Sequence, residues 1–234
     1  MVPFRSNLAG LIFALLCSAI TTRAQQSTGQ TPPIVTAWLN TQTNIQTWSA
    51  DVTQIRTLKT LTQPLSATGH VWFAAPNRFR WEIGKPAQTI AVRTADEMLV
   101  IYPRFKRAER YSFGAQQSGP WKDTLALLEA GFPRNEADLN KQFRIKNLST
   151  SNNVCELKLE PRSAAGRRMM PQLTIAFSTT DYMLRATELQ FADGSTMRNE
   201  FSNPELNPKL DPALFMPQLG SDYTIVEPMK HQTP

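Results

Sequence analysis

The chain has 234 residues, 41% of them hydrophobic, and its 25 lysines and arginines exceed its 19 aspartates and glutamates to give a formal charge of +6. The basic residues are scattered and no RNA- or DNA-binding motif accompanies them, which argues against a nucleic-acid-binding protein. The densest basic groups are residues 104–110 and Arg167-Arg168. They suit either a weak attraction to anionic membranes or acidic partners, or ordinary solvated strand faces and a loop.

The first residues have the pattern of a cleaved secretory signal. Arg5 provides a short basic region, an apolar run follows over residues 8–20, and Thr22 and Ala24 are small residues at the positions that signal peptidase reads. The apolar run is too short to remain as a membrane-spanning helix. We therefore expect export to the periplasm. Removal of the signal takes away two arginines and no acidic residue, so the expected mature chain has a formal charge of +4.

Two cysteines bear on this processing. Cys17 offers an alternative, a lipoprotein signal in which the cysteine is acylated, but Leu16 stands where such signals have a small residue. After ordinary cleavage Cys155 is the only thiol, and its alternation with Leu157 and Leu159 is typical of a small buried hydrophobe. The expected organisation is a signal peptide at residues 1–24, a flexible leader at 25–33, one domain at 34–227 and a disordered tail at 228–234.

A short amphipathic helix opens the expected domain. Pro33 suits a helix start, and Ile34, Val35, Trp38 and Leu39 share one face, which predicts a helix over residues 33–44. A helix of this length has little stability alone. We expect its apolar face to lie on a sheet.

Most of the remaining sequence alternates with the two-residue period of β-strands, and its short polar turns favour antiparallel neighbours. A second short apolar helix is predicted over residues 121–130, ahead of Gly131-Phe132-Pro133, and an exposed loop over residues 161–171. The expected strands cover residues 48–57, 70–75, 78–83, 89–93, 98–102, 106–113, 143–148, 154–160, 172–178, 183–191, 195–201 and 223–226.

The most informative strand follows the Pro76-Asn77 turn. Phe79, Trp81 and Ile83 point to one side of the sheet, and the charged residues between them point to the other. Two large aromatic side chains in so short a strand require a deep apolar space on one side. From these residues alone, that space is either a filled core or a cavity that holds an apolar ligand.

Catalytic motifs are absent from the sequence. It has two histidines, His70 in a predicted strand and His231 in the tail, and it lacks metal-binding, nucleophile and phosphate-binding signatures. We therefore expect a binding protein and not an enzyme, with no metal and no cofactor. The pattern predicts a mainly β fold: an incomplete, open antiparallel β-barrel or strongly curved sheet, with helices forming a lid over a hydrophobic cavity.

Several segments match a known pattern, and they do so in the right order. Trp-Ser-Ala-Asp-Val-Thr-Gln at residues 48–54 is similar to an aromatic-x-Ala-x-Phe-x-Gln first strand. Gly-His-Val-Trp-Phe at 69–73, with Pro-Asn-Arg-Phe-Arg-Trp-Glu at 76–82, resembles a Gly-x-Leu-x-Phe and Pro-x-x-Phe-x-Trp hairpin. Lys85-Pro86 and Ala192-Asp-Gly194 extend the likeness. These patterns belong to the LolA family of periplasmic outer-membrane lipoprotein carriers, which the mature chain resembles over most of its length.

The resemblance implies an unclosed barrel with a helical lid and an apolar cavity for the acyl chains of outer-membrane lipoproteins. Such a carrier accepts its cargo from an inner-membrane ABC release complex and passes it to an outer-membrane receptor where one is present. We expect a monomer that does not bind nucleic acid. Two alternatives stay open: a carrier of another lipid or glycolipid, and a lipid-sensing or interaction module of the same fold.

The resemblance also leads to expected site residues. We expect the cavity to be lined by Trp48, Val52, Phe73, Phe79, Trp81, Ile83, Ile90 and Val92. We expect the lid to include Trp38, Leu39, Leu125 and Leu128.

The chain departs from the family before the hairpin proline. Family members often carry an arginine there that ties the lid to the barrel, but this chain has Ala75. Either Arg78 or Arg80 is expected to take over as the latch, or the lid is held differently.

Overall fold

The computed structural model describes residues 31–112 and 135–227, and these residues form one β-sheet with short helices. The helices are α1 (Pro33–Gln42), α2 (Glu136–Gln142) and α3 (Ala164–Met169), with 3-10 turns at Pro103–Phe105 and Pro212–Phe215. The twelve strands of the described ranges are β1 (Thr47–Thr57), β2 (Leu65–Ala74), β3 (Arg78–Ile83), β4 (Thr89–Arg93), β5 (Glu97–Tyr102), β6 (Arg107–Ser112), β7 (Phe143–Ser151), β8 (Val154–Pro161), β9 (Gln172–Ser178), β10 (Leu184–Gln190), β11 (Thr196–Leu206) and β12 (Thr224–Val226).

The strands pair in the order β12-β6-β5-β4-β3-β2-β1-β11-β10-β9-β8-β7, so the sheet is open, with β12 and β7 at its edges. Neighbouring strands are antiparallel except β12 and β6, which are parallel. The predicted fold class, mainly β with an open and curved antiparallel sheet, is confirmed. Within the described ranges, no helix has the length and hydrophobicity needed to cross a membrane.

The register decides which side chains share a face. Ala50 pairs with Val71, Val71 with Trp81, and Trp81 with Ala91, so these four side chains form one row across β1, β2, β3 and β4. We call the face that carries this row the inner face, and the opposite one the outer face.

Helix α1 covers part of the inner face. Its Val35, Trp38 and Leu39 are at most 1% exposed, and Trp38 stacks on Phe177 of β9 with ring centroids 4.8 Å apart. Pro33 lies in the first turn, where a backbone N–H would have no acceptor within the helix, so the missing N–H of proline costs nothing there. The helix predicted over residues 33–44 is therefore confirmed to within two residues at its end.

The C-terminal segment, residues 212–226, covers part of the outer face. Phe215 is 2% exposed and lies under the Arg78 guanidinium, which is 5.3 Å from the centre of its ring. Leu219 and Tyr223 pack on the buried apolar side chains of β5 and β6, as Ile90 of β4 does. Strand β12 then extends the sheet beside β6. Strands β4 and β5 thus carry buried side chains on both faces.

Two short helices differ from the expectation. Residues 161–171, predicted as a loop, contain α3, whose N-cap Ser163 accepts a hydrogen bond from the Gly166 amide at 2.9 Å. Helix α2 is capped in the same way by Asn135. Helices of six and seven residues are too short to show an apolar period, so only their caps mark them in the sequence. The helix predicted over residues 121–130 lies outside the described residues.

Candidate functional site

The inner face falls into two parts. Strands β7 to β10, together with α1, make a closely packed region that we call the filled half. Its innermost side chains are at most 1% exposed: Cys155, Leu157, Leu159, Leu173, Ile175 and Phe177. This half leaves no room for a guest among the residues named, because each is already surrounded by protein.

Strands β2 to β6 make what we call the open half, and β1 and β11 lie between the two halves. A cavity of about 290 Å³ lies in the open half and reaches the ends of β1 and β11. Its walls are formed by Gln54, Arg56, Phe79, Trp81, Ile83, Thr89, Ala91, Tyr102, Met197 and Asn199.

Phe201 of β11 marks the boundary between the two halves. Its ring meets Trp48 edge-on at 5.3 Å and Trp81 edge-on at 5.9 Å, measured between ring centroids. Trp48 is 1% exposed and belongs to the packed core, whereas Trp81 is only half-buried and borders the cavity. Among the described residues, one side of the Trp81 ring therefore contacts Phe201 while the ring also borders the cavity.

The cavity wall also carries polar groups. Gln54 Nε2 donates to Asn199 Oδ1 at 3.1 Å, and Asn199 Nδ2 donates to Thr187 Oγ1 at 3.3 Å. The indole N–H of Trp81 is buried and has no hydrogen-bond partner among the described residues. A buried donor without an acceptor costs about 1–3 kcal/mol, so a guest oxygen at this point would relieve that cost. Burial raises the pKa of the Tyr102 phenol above 10.0, so it stays a neutral donor.

The predicted cavity residues separate into groups. Phe79, Trp81 and Ile83 lie on the cavity wall. Trp48 and Val52 are 1% exposed and lie in the packed core instead. All five belong to strands whose outward positions are mostly polar, so their direction follows from the two-residue period.

For two of the predicted cavity residues, the structure contradicts the prediction. Ile90 pairs with Glu82, and Val92 pairs with Arg80, which places both side chains on the outer face. Ile90 packs there on the apolar cluster of β5 and β6 that the C-terminal segment also contacts. The inward position of β4 belongs to Ala91, which lines the cavity.

The structure describes two of the four predicted lid residues. Trp38 and Leu39 lie on α1, buried over the filled half, while Leu125 and Leu128 lie outside the described residues.

The predicted latch residues are not brought to α1. Arg78 and Arg80 lie on the outer face, where Arg78 covers the Phe215 ring and Arg80 Nη1 donates to the Leu214 carbonyl at 3.1 Å. Both arginines therefore hold the C-terminal segment.

Ala75 lies in a second cavity, of about 390 Å³, between the end of α1 and the β2–β3 turn. The predicted cavity residue Phe73 lines this second cavity and packs against the core. The small side chain of Ala75 leaves open the space to which the resemblance assigns an arginine. The connection from α1 to β1 is held by Asn207 instead, whose Oδ1 accepts from the Gln46 amide at 2.7 Å and from the Thr47 amide at 3.2 Å. Helix α1 is thus held by packing, and its connection to β1 by the asparagine that follows β11.

Sequence reasoning missed several residues of the cavity wall. Gln54 and Arg56 share the inner face of β1 with Val52, so the two-residue period alone indicates them. Met197 and Asn199 come from β11, which pairs with β1 across the middle of the sheet. No local pattern predicts that pairing.

Comparison with known proteins bears on this site. The family described as "Outer membrane lipoprotein carrier protein LolA" matches residues 43–218, well over half of the chain. The chain belongs to the LolA family. A relative from Cupriavidus pinatubonensis (strain JMP 134 / LMG 1197), named "Outer-membrane lipoprotein carrier protein", is 31% identical over 147 residues, which are 62% of this chain and 63% of that protein. The LolA-family chain thus spans less than two thirds of that relative.

Solved structures offer more distant likenesses. An uncharacterised conserved protein from Thermus thermophilus is 12% identical, with a TM-score of 0.48 over 83% of this chain and 96% of that one. A LolA superfamily protein from Nitrosomonas europaea is 8% identical, with a TM-score of 0.38 over 76% of this chain and 96% of that one. At these scores neither likeness bears on function.

Proposed function

We propose that this protein is a periplasmic carrier that binds the acyl chains of lipoproteins in its open half and ferries them to the outer membrane. The observation that carries the proposal is the cavity of about 290 Å³ walled by Phe79, Trp81 and Ile83 in a chain of the LolA family. Small-molecule sites span about 300–1,000 Å³. The volume of this cavity is close to the lower limit of that range, so the cavity would hold part of an acyl chain.

The physical need for such a cavity follows from the cargo. Each methylene removed from water contributes about 0.8 kcal/mol, so one long acyl chain gains on the order of 10 kcal/mol on burial. Crossing an aqueous compartment without shelter would cost that amount. An apolar wall that the described residues do not fill with their own side chains supplies the shelter.

The polar groups of the wall suggest how a guest is oriented. Arg56 and Tyr102 lie at the C-terminal ends of β1 and β5. Phe79 and Ala91 lie deeper in the sheet, away from the β3–β4 connection at that end. An acyl chain would therefore place its hydrocarbon against Phe79 and its carbonyl end towards Arg56. The indole N–H of Trp81, which has no partner among the described residues, would donate to that carbonyl.

Partners must supply the energy for transport, since the sequence has no nucleotide-binding motif. We propose that an inner-membrane ABC complex loads the protein and that an outer-membrane receptor unloads it. Direction would arise because the acceptor binds the cargo more tightly than this carrier does. Purified carrier and acceptor mixed without ATP should then share the cargo in favour of the acceptor, and retention by the carrier would defeat this part of the proposal.

Native mass spectrometry of protein isolated from the periplasm tests the carrier function. We expect an adduct with the mass of an acylated peptide or lipid on the wild type, and its loss in Trp81→Glu, because a carboxylate on the cavity wall opposes burial of hydrocarbon. Trp72→Glu is the matched control, since Trp72 lies on the outer face of the adjacent strand beside His70.

Three outcomes of this experiment decide between the functions. Loss of the adduct in Trp81→Glu alone, with circular dichroism unchanged, supports the carrier. An adduct with the mass of a different lipid or glycolipid favours the alternative carrier. A wild-type protein that retains no lipid contradicts both and leaves a sensing or interaction module.

A further inference from the structure

Several turns lie together at one end of the sheet, where Ile83, Thr89 and Tyr102 of the cavity wall stand next to the strand ends. We take this end as the mouth of the cavity. Strand β1 ends and β2 begins there, and the β3–β4 and β5–β6 connections leave the sheet at the same end. Ile83 and Tyr102 are the last inward residues before two of these connections, and both line the cavity. We call residues 56–65, 84–88 and 103–107 the rim.

The rim exposes large apolar side chains. Leu61 is 44% exposed, Leu65 is 50% exposed and Phe105 is 73% exposed. Within the described ranges six large apolar residues are at least 40% exposed, and half of them lie on the rim. Phe105 ends a 3-10 turn and is followed by Lys106 in the left-handed conformation, with φ at 47°, which shapes a tight projecting tip.

The rim is also basic. Its three segments contain no aspartate or glutamate, and their six cationic residues are all exposed: Arg56, Lys59, Lys85, Arg104, Lys106 and Arg107. Two of them are neutralised from outside the rim, Lys106 by Asp222 at 3.3 Å and Arg107 by Glu109 at 2.8 Å. Arg56, Lys85 and Arg104 form no ion pair with any described residue, so a net positive charge surrounds the exposed apolar side chains.

We propose that the rim docks on the surface of an anionic phospholipid membrane. Cations attract anionic headgroups, and exposed apolar side chains between them dip to the level where headgroups meet acyl chains. The apolar residues stand on two separate projections, each beside its own cations, which suits a deformable lipid surface better than a single patch on a protein. Docked in this way, the cavity mouth faces the bilayer, and a guest passes between them without crossing water.

This inference goes beyond the proposed function, because it concerns the protein without cargo. Sedimentation of purified mature protein with vesicles tests it. One set of vesicles contains phosphatidylglycerol and phosphatidylcholine in equal amounts, and the other contains phosphatidylcholine alone. Variants Arg104→Ser and Phe105→Ser alter the rim. Leu206→Ser is the matched control, because Leu206 is 40% exposed and pairs with Trp48 at the opposite end of β1. Thermal unfolding verifies that all variants fold.

We expect the wild type to sediment with the anionic vesicles and to be released at 1 M salt, where the screening length falls to about 3 Å. Arg104→Ser should weaken binding about fivefold, the effect of one cation near an anionic surface. Phe105→Ser should weaken it about tenfold through lost apolar burial, while Leu206→Ser should bind as the wild type does.

Two results would overturn the inference. The first is a wild type that ignores anionic vesicles, which would leave the rim as a contact for a protein partner. The second is equal binding by the wild type and both rim variants. Either result can occur while lipid adducts persist in native mass spectrometry, so failure here is distinguishable from failure of the carrier function.

Discussion

The filled half and the open half of the sheet carry similar aromatic side chains in different surroundings. In the filled half, Trp38 lies 7° from parallel with Phe177, and both rings are fully buried. In the open half, Trp81 touches Phe201 edge-on and leaves its other side to a cavity. Large aromatic residues on an inner face therefore do not by themselves distinguish a core from a binding site.

What separates the halves is whether a second element of the described chain supplies partners for the inner face. Helix α1 brings Val35, Trp38 and Leu39 to the filled half. The cavity of the open half is walled by strand residues alone. The stability of the fold should therefore reside mainly in the filled half, and ligand binding in the open half.

The largest expected difference concerns the two tryptophans. Trp38→Ala should lower the free energy of unfolding by about 3–5 kcal/mol, because it empties a fully packed site. Trp81→Ala should cost clearly less, since one side of its ring already borders a cavity. Urea unfolding followed by circular dichroism measures both. Equal losses would mean that the two halves are equally filled.

Two alanines of the same row provide a second test. Ala50 is 0% exposed, so Ala50→Leu should overpack the core and cost about 1–3 kcal/mol. Ala91 lines the cavity, so Ala91→Leu should be tolerated while reducing the lipid adduct seen by native mass spectrometry. If Ala91→Leu destabilises the protein as much as Ala50→Leu does, the open half has no spare volume.

Thiol labelling tests whether α1 opens when a guest enters. Cys155 is 0% exposed in the filled half, and burial raises the pKa of its thiol, so labelling should be slow. A guest bound in the open half should leave the labelling rate unchanged or lower it, because ligands stabilise the folded state. Faster labelling with lipid would show instead that the filled half opens to admit it.

The smallest effect concerns Asp51, on the outer face of the strand between the halves. Hydrogen bonds from Asn203 and then with His70, each at 2.9 Å, lower the pKa of the Asp51 carboxyl below its ordinary 3.8. Its contribution to stability is thus complete above the ordinary value and disappears as the pH falls through the folded-state pKa. Asn203→Ala should weaken the acid dependence of thermal unfolding below about pH 4 without altering lipid uptake. Superimposable acid profiles would argue against this contribution.

The sequence correctly predicts which side chains of β3 face inward, but the prediction for β4 is wrong. The difference lies in the local sequence of each strand. In β3, charged residues alternate with Phe79, Trp81 and Ile83, so only one assignment buries the apolar set. In β4, Ile90 and Val92 are more hydrophobic than Ala91, yet they face outward. On that face Val92 is 1% exposed, and Ile90 packs on the same apolar side chains of β5 and β6 as the C-terminal segment does. A strand covered on both faces has no polar side to fix its orientation.

The cavity shows the same limit at longer range. Residues of β1 and β3 are placed by alternation, but Met197 and Asn199 join the wall only because β11 pairs with β1. That pairing connects residues more than a hundred positions apart and follows from the whole sheet. The departure at Ala75 is visible in the sequence, whereas the Asn207 contacts that hold the α1–β1 connection are not.

Photo-crosslinking of a bound acyl chain tests most directly where the guest lies. A lipopeptide whose palmitoyl chain carries a diazirine is bound to the purified protein, irradiated, and its attachment sites are mapped by peptide mass spectrometry. We predict attachment to the cavity wall, at Trp81, Ile83 or Met197, and its loss in Trp81→Glu. Attachment to Leu157 or Phe177 beneath α1, or to the outer face alone, would contradict a guest site in the open half.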